Sequence, residues 1–377
     1  MACNKKSPNH MTQSRLVALI DPLKSYKNGI GGQERFAIRL AENLAGDFRV
    51  TFYTNNIEPL AARHKGNKLN RICLKRIRLI NLFSPRFELS ADILIANGER
   101  ALLYAVLARL LKQTSARIIY IAHIFIPDAI SRKSLPLRSI YIAAYRILLA
   151  KIDRNVCVSE SLRKQLASRN LNGKQEWEVV VNGVKSRDVS GRNDRLPENR
   201  EKLKLLFAGR LCKQKGIVPF IETFYRSGAP EVANLAIAGT GPEERAIRES
   251  VDQFKLRNQV TLLGYCHDLP EKMLECDIVV LPSLYEGLPL VLLEAMSLGK
   301  VVLASNIEPH KEVLQSRFSN LLLTNGDASE LMKALRDLSN APKRKGIGRA
   351  LQRHQQQYFD ESTMWGKYKQ IIRSLEG

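Results

Sequence analysis

Two glutamates, Glu286 and Glu294, lie eight positions apart in the segment LPSLYEGLPLVLLEAMSLGK, where most other residues are apolar or glycine. The preceding run DIVVLPS is typical of a buried strand, and LPLVLLEAMSLG is typical of a helix that ends at Gly299. Eight residues span just over two helical turns, so both carboxylates can face one cleft. The pattern predicts a ligand with hydroxyl groups for the acids and a phosphate for the free N–H groups at the helix start, such as a nucleotide sugar. The alternative is that Glu286 caps the helix and Glu294 is merely exposed.

Two cations lie near these acids in the same half of the chain. The segment LFAGRLCKQKGI places Arg210 and Lys215 in the loop that follows a predicted strand. Both could reach one phosphate group, Arg210 as a planar fork and Lys215 as a mobile point charge. Glycine loops follow predicted strands at AIAGTGPEER and at GGQER. In the second loop, Gly31 and Gly32 stand at the start of a predicted helix, and their lack of a side chain would let backbone amides approach a ligand closely. A glycine loop alone is a weak signal, because ordinary strand-to-helix turns also use glycine.

These residues belong to a pattern of short apolar strands that alternate with helices, twice over. Such alternation indicates parallel sheets built from strand–helix–strand units, and 377 residues exceed the usual size of one core. The pattern therefore predicts two doubly wound domains with a cleft between them. In such domains, ligands bind outside the carboxyl ends of the strands. We expect a loose tail over residues 1–13, an N-terminal domain over 14–185, a linker over 186–202, a C-terminal domain over 203–358 and a final helical segment over 359–377.

The net charge of +22 is concentrated in the first half of the chain. Residues 1–190 contain 32 Lys and Arg against 14 Asp and Glu, whereas residues 191–377 contain 27 against 23. The densest basic stretch, 63–80, has seven Lys or Arg and no acid. A field of this kind attracts phosphate groups on nucleic acid, anionic lipid or a phosphorylated saccharide. No nucleic-acid-binding motif accompanies the charge, so we expect no nucleic-acid partner.

The composition favours a reduced cytoplasmic protein. Six cysteines are scattered without metal spacing, no secretory signal is visible at the start, and no apolar run is long enough to span a bilayer. The basic stretch 63–80 and the segment RSIYIAAYRILLAKIDR mix bases with apolar and aromatic residues, as interfacial segments do. For the second segment, an ordinary connecting helix packed on the sheet is the favoured interpretation.

The set GGQER, VNGV, AGRLCKQKG, AGTGPE, LGY, LPSLYEGLPLVLLEAMSLG and VVLAS resembles the family 4 glycosyltransferases. The resemblance covers about residues 14–375 and is most specific over 205–305, in the frame that holds the two glutamates. It implies the two-domain GT-B fold, in which an N-terminal Rossmann-like domain binds the acceptor and a C-terminal one binds the nucleotide sugar. It also implies a final helix that returns to the N-terminal domain, and transfer with retention of anomeric configuration.

The resemblance assigns roles to individual residues in the C-terminal half. Glu286 would bind the hydroxyls of the donor sugar, and Glu294 would hold the ribose hydroxyls. Arg210 and Lys215 would neutralise the diphosphate leaving group. The backbone of the loop between the glutamates would help them, through Gly287, Leu288 and Pro289.

In the N-terminal half, Gly31 and Gly32 would line the cleft opposite the diphosphate. His123, at the end of RIIYIAH, resembles the family's active-site histidine, which contacts the donor sugar. The chain departs from the commonest family pattern directly after it, because Ile124 stands where many relatives have a polar residue.

The predicted function is transfer of a hexose or N-acetylhexosamine from a nucleotide-diphosphate sugar, with UDP-sugars favoured, to a saccharide acceptor. Lipopolysaccharide core or O-antigen assembly at the inner face of the cytoplasmic membrane would explain the basic half, through peripheral contact with anionic lipid. No cofactor and no metal are expected. The alternatives are a GT-B nucleotide-sugar epimerase or phosphorylase, a basic nucleic-acid-binding protein, and a non-catalytic saccharide-binding protein.

Overall fold

The computed structural model describes residues 15–21, 31–54, 72–77, 84, 88–124, 135–171, 176–187 and 201–375. These residues form two parallel sheets, each with helices packed on its faces, as the alternating pattern predicts. The predicted tail over 1–13, most of the basic stretch 63–80 and most of the linker over 186–202 lie outside the described residues.

The N-terminal sheet has seven strands in the order β3-β2-β1-β4-β5-β6-β7, and every pairing is parallel. Strand order reverses at β1, whose neighbours are β2 and β4. The elements are β1 (Leu16–Ile20), α1 (Gly32–Leu44), β2 (Arg49–Thr54), β3 (Ile72–Arg76), β4 (Ile93–Asn97), α2 (Glu99–Leu110), β5 (Arg117–Ala122), α3 (Leu135–Leu149), β6 (Arg154–Cys157), α4 (Glu160–Ala167) and β7 (Trp177–Val179).

The C-terminal sheet has six parallel strands in the order β10-β9-β8-β11-β12-β13, with the reversal at β8. Its first elements are β8 (Leu203–Ala208), a 3-10 turn (Lys213–Lys215), α5 (Ile217–Arg226), α6 (Ala229–Val232), β9 (Ala233–Ala238), α7 (Glu244–Gln253), β10 (Val260–Gly264), α8 (Leu269–Leu274) and β11 (Ile278–Leu281). They are followed by α9 (Leu290–Ser297), β12 (Val301–Ser305), α10 (Glu308–Leu314), a 3-10 segment (Ser316–Leu321), β13 (Leu322–Leu323), α11 (Ala328–Ser339), α12 (Ala341–Tyr358) and α13 (Glu361–Ser374).

Two predicted elements are shorter than expected. Helix α9 begins at Leu290 because Pro289, at its N-cap, has an extended backbone conformation. The run NLLLT is a strand only at Leu322 and Leu323, since the preceding residues form the 3-10 segment. This strand lies at the sheet edge and pairs with β12 alone.

The chain returns to the N-terminal domain at its end, which confirms the expected return. Asp360, just before α13, forms a parallel bridge with Val184. Lys369 on α13 forms an ion pair of 2.6 Å with Asp47. Trp365 packs against Phe36 of α1, with ring centroids 5.7 Å apart. Helix α13, which follows the C-terminal domain in the sequence, therefore packs against the N-terminal domain.

The two domains also meet through polar contacts near the cleft. The Glu312 carboxylate on α10 accepts hydrogen bonds from the N–H groups of Glu160 (2.7 Å) and Ser161 (2.8 Å), at the start of α4 in the other domain. An acid suits the unsatisfied N–H groups and the positive end of a helix dipole. Glu312 therefore ties the orientation of α10 to that of α4.

Candidate active site

The reversal point of the C-terminal sheet brings the predicted cations and the first glutamate together. Strands β8 and β11 are neighbours, so the loops after them leave the same edge. Arg210 follows β8 and is exposed, Lys215 ends the 3-10 turn in the same loop, and Glu286 lies in the loop after β11. A crevice at such a reversal is the usual ligand position in open parallel sheets.

Glu286 is held by three neighbouring side chains. Lys215 Nζ lies 2.5 Å from Glu286 Oε1, and the Ser283 hydroxyl donates to the same oxygen at 2.7 Å. Gln214 Nε2 donates to the other oxygen at 3.3 Å. The side chains of Glu286 and Lys215 are only 7% and 19% exposed, so the pair is largely removed from water. Glu286 does not cap α9, which has no side-chain cap, so the alternative role of this residue as a helix cap is wrong.

A buried histidine supports the loop from behind. The carbonyl of Ser283 accepts a hydrogen bond of 2.5 Å from the Ser305 hydroxyl, and His310 Nδ1 donates to the carbonyl of Ser305 at 2.8 Å. Burial lowers the pKa of His310, although the Glu286 carboxylate acts to raise it. No role for His310 was predicted from the sequence, although it lies shortly after the VVLAS strand.

Glu294 contacts the opposite domain. Its Oε1 lies 3.5 Å from Arg35 Nη1, which projects from the first turn of α1. Gly32, which opens that helix, lies close to Leu290 of α9, since a Cβ added to the glycine would be 3.8 Å from Leu290 Cδ1. The GGQER loop and the start of α9 therefore face each other across the cleft. Arg35 is a candidate site residue that the sequence analysis missed, although it stands beside the predicted glycines.

Gly31, Leu288 and Pro289 lie at the starts of the two helices that face each other across the cleft. Gly31 is the N-cap of α1. The Leu288 carbonyl accepts a hydrogen bond of 3.2 Å from the Asn182 amide of the N-terminal domain. Pro289 has no N–H and cannot donate to a phosphate, so its contribution is limited to shaping the start of α9.

Gly287 lies in tight contact with the N-terminal domain. Its carbonyl accepts a hydrogen bond of 3.1 Å from the hydroxyl of Ser159, and a Cβ added to it would lie 1.6 Å from the carbonyl oxygen of His123. No residue larger than glycine fits there without backbone movement. The loop that follows Glu286 thus lies directly against the end of strand β5.

His123 is a neutral, hydrogen-bonded ring. Asn97 donates through Nδ2 to Asp21 Oδ2 at 2.8 Å, so its Oδ1 faces the ring and accepts from His123 Nε2 at 2.7 Å. Nε2 therefore carries the proton, and Nδ1 is left as an acceptor. Burial lowers the pKa of His123 to about 3. At neutral pH the residue acts through hydrogen bonds and not as a cation.

The described residues contain no cluster of three or more His, Cys, Asp or Glu side chains that could hold a metal ion. Within the same ranges, every helix falls short of the length and apolar character needed to cross a bilayer. The expectation that no metal is required stays a prediction.

The sequence model described as Glycosyltransferase Family 4 matches residues 30–187, and the one described as Glycosyl transferases group 1 matches residues 192–354. The first match covers most of the N-terminal sheet and the second covers the C-terminal sheet, so together they include both sides of the cleft. The chain belongs to the family 4 glycosyltransferases. In this glycosyltransferase, the first match includes His123 and the second includes Arg210 and Glu286.

Two curated relatives share parts of this sequence. The UDP-Gal:alpha-D-GlcNAc-diphosphoundecaprenol alpha-1,3-galactosyltransferase of Escherichia coli is 24% identical over 229 residues, which are 58% of this chain and 59% of that protein. The putative colanic acid biosynthesis glycosyltransferase WcaL of Salmonella typhimurium is 29% identical over 146 residues, 36% of each chain. The matched segments thus span between 36% and 59% of the length of these relatives.

A solved structure has the same fold over almost the whole glycosyltransferase. HepE from Anabaena, determined in complex with UDP and glucose, aligns with a TM-score of 0.76 and 18% identity, covering 96% of this chain and 100% of that one. The GT-B architecture is therefore confirmed, since the likeness covers both domains.

Proposed function

We propose that this glycosyltransferase moves a hexose or N-acetylhexosamine, with retention, from a UDP-sugar to a saccharide acceptor. The observation that carries the proposal is the ion pair of Lys215 with Glu286 at the strand reversal, with Arg210 in the same loop as Lys215. HepE, which shares the fold, was determined with UDP and glucose, and this supports the choice of donor class.

The leaving group in this proposal is a nucleoside diphosphate, so the barrier falls when negative charge on its β-phosphate is stabilised. Arg210, Lys215 and the free N–H groups at the start of α9 supply positive charge without any need for a metal. The bond between the anomeric carbon and the phosphate oxygen breaks, and the acceptor oxygen bonds to that carbon on the same face. The acceptor proton passes to the departing phosphate.

Glu286 acts as an electrostatic and positioning group in this scheme. Its carboxylate can accept sugar hydroxyls and offset positive charge that develops on the anomeric carbon. The same carboxylate fixes Lys215, so one side chain orients both the sugar and the phosphate-binding cation. Glu294 would accept the ribose hydroxyls while Arg35 balances its charge.

We further propose a saccharide acceptor of the bacterial envelope, handled at the inner face of the cytoplasmic membrane. The name of the Escherichia coli relative specifies a diphosphoundecaprenol-linked acceptor, and that of WcaL specifies colanic acid biosynthesis. Lipopolysaccharide core and O-antigen precursors resemble the acceptor of the Escherichia coli relative, because both are saccharides attached to a lipid. The excess of basic residues in the first half suits such an acceptor and the anionic lipid around it.

The stereochemistry can be tested without knowing the acceptor. When each UDP-sugar is incubated with the enzyme alone, slow hydrolysis uses water as the acceptor, and proton NMR detects the anomer released before mutarotation. We expect one α-linked donor to yield the α-anomer first. Initial release of the β-anomer would contradict retention, and conversion of the donor into a different UDP-sugar would indicate an epimerase.

A further inference from the structure

Three neighbouring strands of the N-terminal sheet end in polar residues that form one hydrogen-bonded series. Asp21 follows β1, Asn97 ends β4 and His123 follows β5, and these strands are adjacent in the sheet. Asn97 Nδ2 lies 2.8 Å from Asp21 Oδ2, and Asn97 Oδ1 lies 2.7 Å from His123 Nε2. Asp21 and Asn97 are only 2% and 1% exposed, so water does not compete for these bonds. The series therefore leads from a buried carboxylate to the histidine beside Gly287.

The carboxylate sets the direction of every bond in this series. A carboxylate only accepts hydrogen bonds, whereas an amide has a donor at one end and an acceptor at the other. Asn97 must therefore direct Nδ2 at Asp21 and Oδ1 at His123. The carbonyl of Gln33 lies 3.4 Å from the same Nδ2 atom, so a flipped amide would turn its oxygen towards two acceptors. Gln33 belongs to the first turn of α1, whose positive end favours the ionised form of Asp21.

The backbone of Asn97 is also held in place. Gln33 Nε2 donates to the carbonyl of Asn97 at 3.0 Å. The N–H group of Gly98 donates to the carbonyl of Ile121 on β5 at 2.9 Å. Gly98 has a φ of +85°, and a Cβ added to it would lie 2.2 Å from Gln33 Nε2, so the Gln33 amide occupies the space of the missing side chain. The Asn97 amide is therefore a fixed point against which the His123 ring is oriented.

We propose that Asp21 and Asn97 are positioning residues that hold His123 in the tautomer with its proton on Nε2, so that Nδ1 accepts a hydrogen bond from a hydroxyl of the donor sugar. The hydrogen bond made by one ring nitrogen decides which nitrogen carries the proton. Among the described residues Nδ1 has no hydrogen-bond partner, and Phe36, which packs edge to face at 4.8 Å, offers no polar group. The contact with the sugar rests on the proposed function, whereas the tautomer does not.

The test is a long-range proton–nitrogen NMR spectrum of the full chain labelled with ¹⁵N in histidine, which shows which nitrogen of each ring is protonated. The signals of His123 are assigned by their loss in His123→Gln. We expect the proton on Nε2 alone in the wild type. Asp21→Asn should give a mixture of both tautomers, because the new amide can donate to Asn97 as well as accept from it. The exchanged pair Asp21→Asn/Asn97→Asp should restore the proton on Nε2, since the carboxylate then accepts from the ring directly.

Asp92→Asn is the matched control. The Asp92 carboxylate accepts a hydrogen bond of 2.9 Å from the Leu16 N–H, so it joins the same two strands, β1 and β4, at their opposite end. This variant should keep the wild-type tautomer and the wild-type hydrolysis of the UDP-sugar. Asp21→Asn should lower kcat/KM for that hydrolysis by roughly tenfold, as expected when one neutral hydrogen bond to the substrate is lost. The exchanged pair should recover most of this loss.

Three results would overturn the positioning role: a proton on Nδ1 in the wild type, the wild-type pattern in Asp21→Asn, and an equal change of pattern in Asp92→Asn. Addition of the UDP-sugar should move the Nδ1 signal of His123, and UDP alone, which lacks the sugar, should not. A response to UDP alone would overturn the contact with the sugar. The spectra require no turnover. A fixed Nε2 proton in a chain that binds no UDP-sugar would therefore contradict the proposed function and support the role of Asp21 and Asn97.

Discussion

Glu286→Gln is expected to lower kcat by roughly 10² to 10³-fold, the range seen when one preorganised electrostatic group is removed from an active site. The amide keeps the size of the side chain but cannot balance the charge on Lys215 or on the anomeric carbon. Because both partners of the pair are largely buried, we also expect the variant to lose about 1–3 kcal/mol of stability, the cost of leaving a buried polar group without its partner.

The measurement is initial-rate kinetics at saturating UDP-sugar, with a thermal melt of the same preparation. Glu275→Gln is the matched control, because Glu275 is an exposed carboxylate paired with Lys272 at the end of α8 and should keep full activity. Lys215→Met combined with Glu286→Gln should recover stability without recovering activity. Full activity of Glu286→Gln would contradict the role assigned to the carboxylate.

Gly287→Ala is expected to push the loop after Glu286 away from the end of strand β5. The added Cβ would overlap the carbonyl oxygen of His123 at 1.6 Å, and a backbone atom cannot rotate away as a side chain can. Overpacking of this kind typically costs about 1–3 kcal/mol. Because the displaced loop also holds Glu286, activity should fall by roughly 10²-fold, the loss that a small misplacement of reacting groups can cause.

Thermal melts and kinetics of Gly287→Ala should be compared with those of Gly346→Ala. An added Cβ at Gly346 meets nothing within 4 Å, and alanine favours the helix α12 in which it lies, so that variant should be as stable as wild type or more so. Wild-type activity in Gly287→Ala would show that the loop and strand β5 can move apart at no cost to the reaction.

Most of the fold could be predicted because each element leaves a local pattern. The strands are short apolar runs, the helices between them have helical periodicity, and the loops that hold Arg210 and Glu286 follow strands directly. Parallel sheets then bring the carboxyl ends of neighbouring strands to one edge, which places these residues together without knowledge of any individual contact.

The pairings within the site could not be predicted, because they depend on residues far apart in the sequence. Lys215 and Glu286 were both predicted as ligand-binding groups, but their ion pair forms across 71 positions. The contact of Arg35 with Glu294 and that of Glu312 with α4 depend on how the domains meet.

The most direct test of the account is a thermal-shift panel of UDP-glucose, UDP-galactose, UDP-N-acetylglucosamine and GDP-mannose. A bound donor should stabilise the protein by about 2.7 kcal/mol at a hundredfold excess over its Kd. We predict that one UDP-sugar raises the Tm of the wild type and of Arg257→Ala, an exposed arginine paired with Asp252, but not that of Arg210→Ala. No shift with any donor, or an equal shift in Arg210→Ala, would contradict the assignment of the cleft as a nucleotide-sugar site.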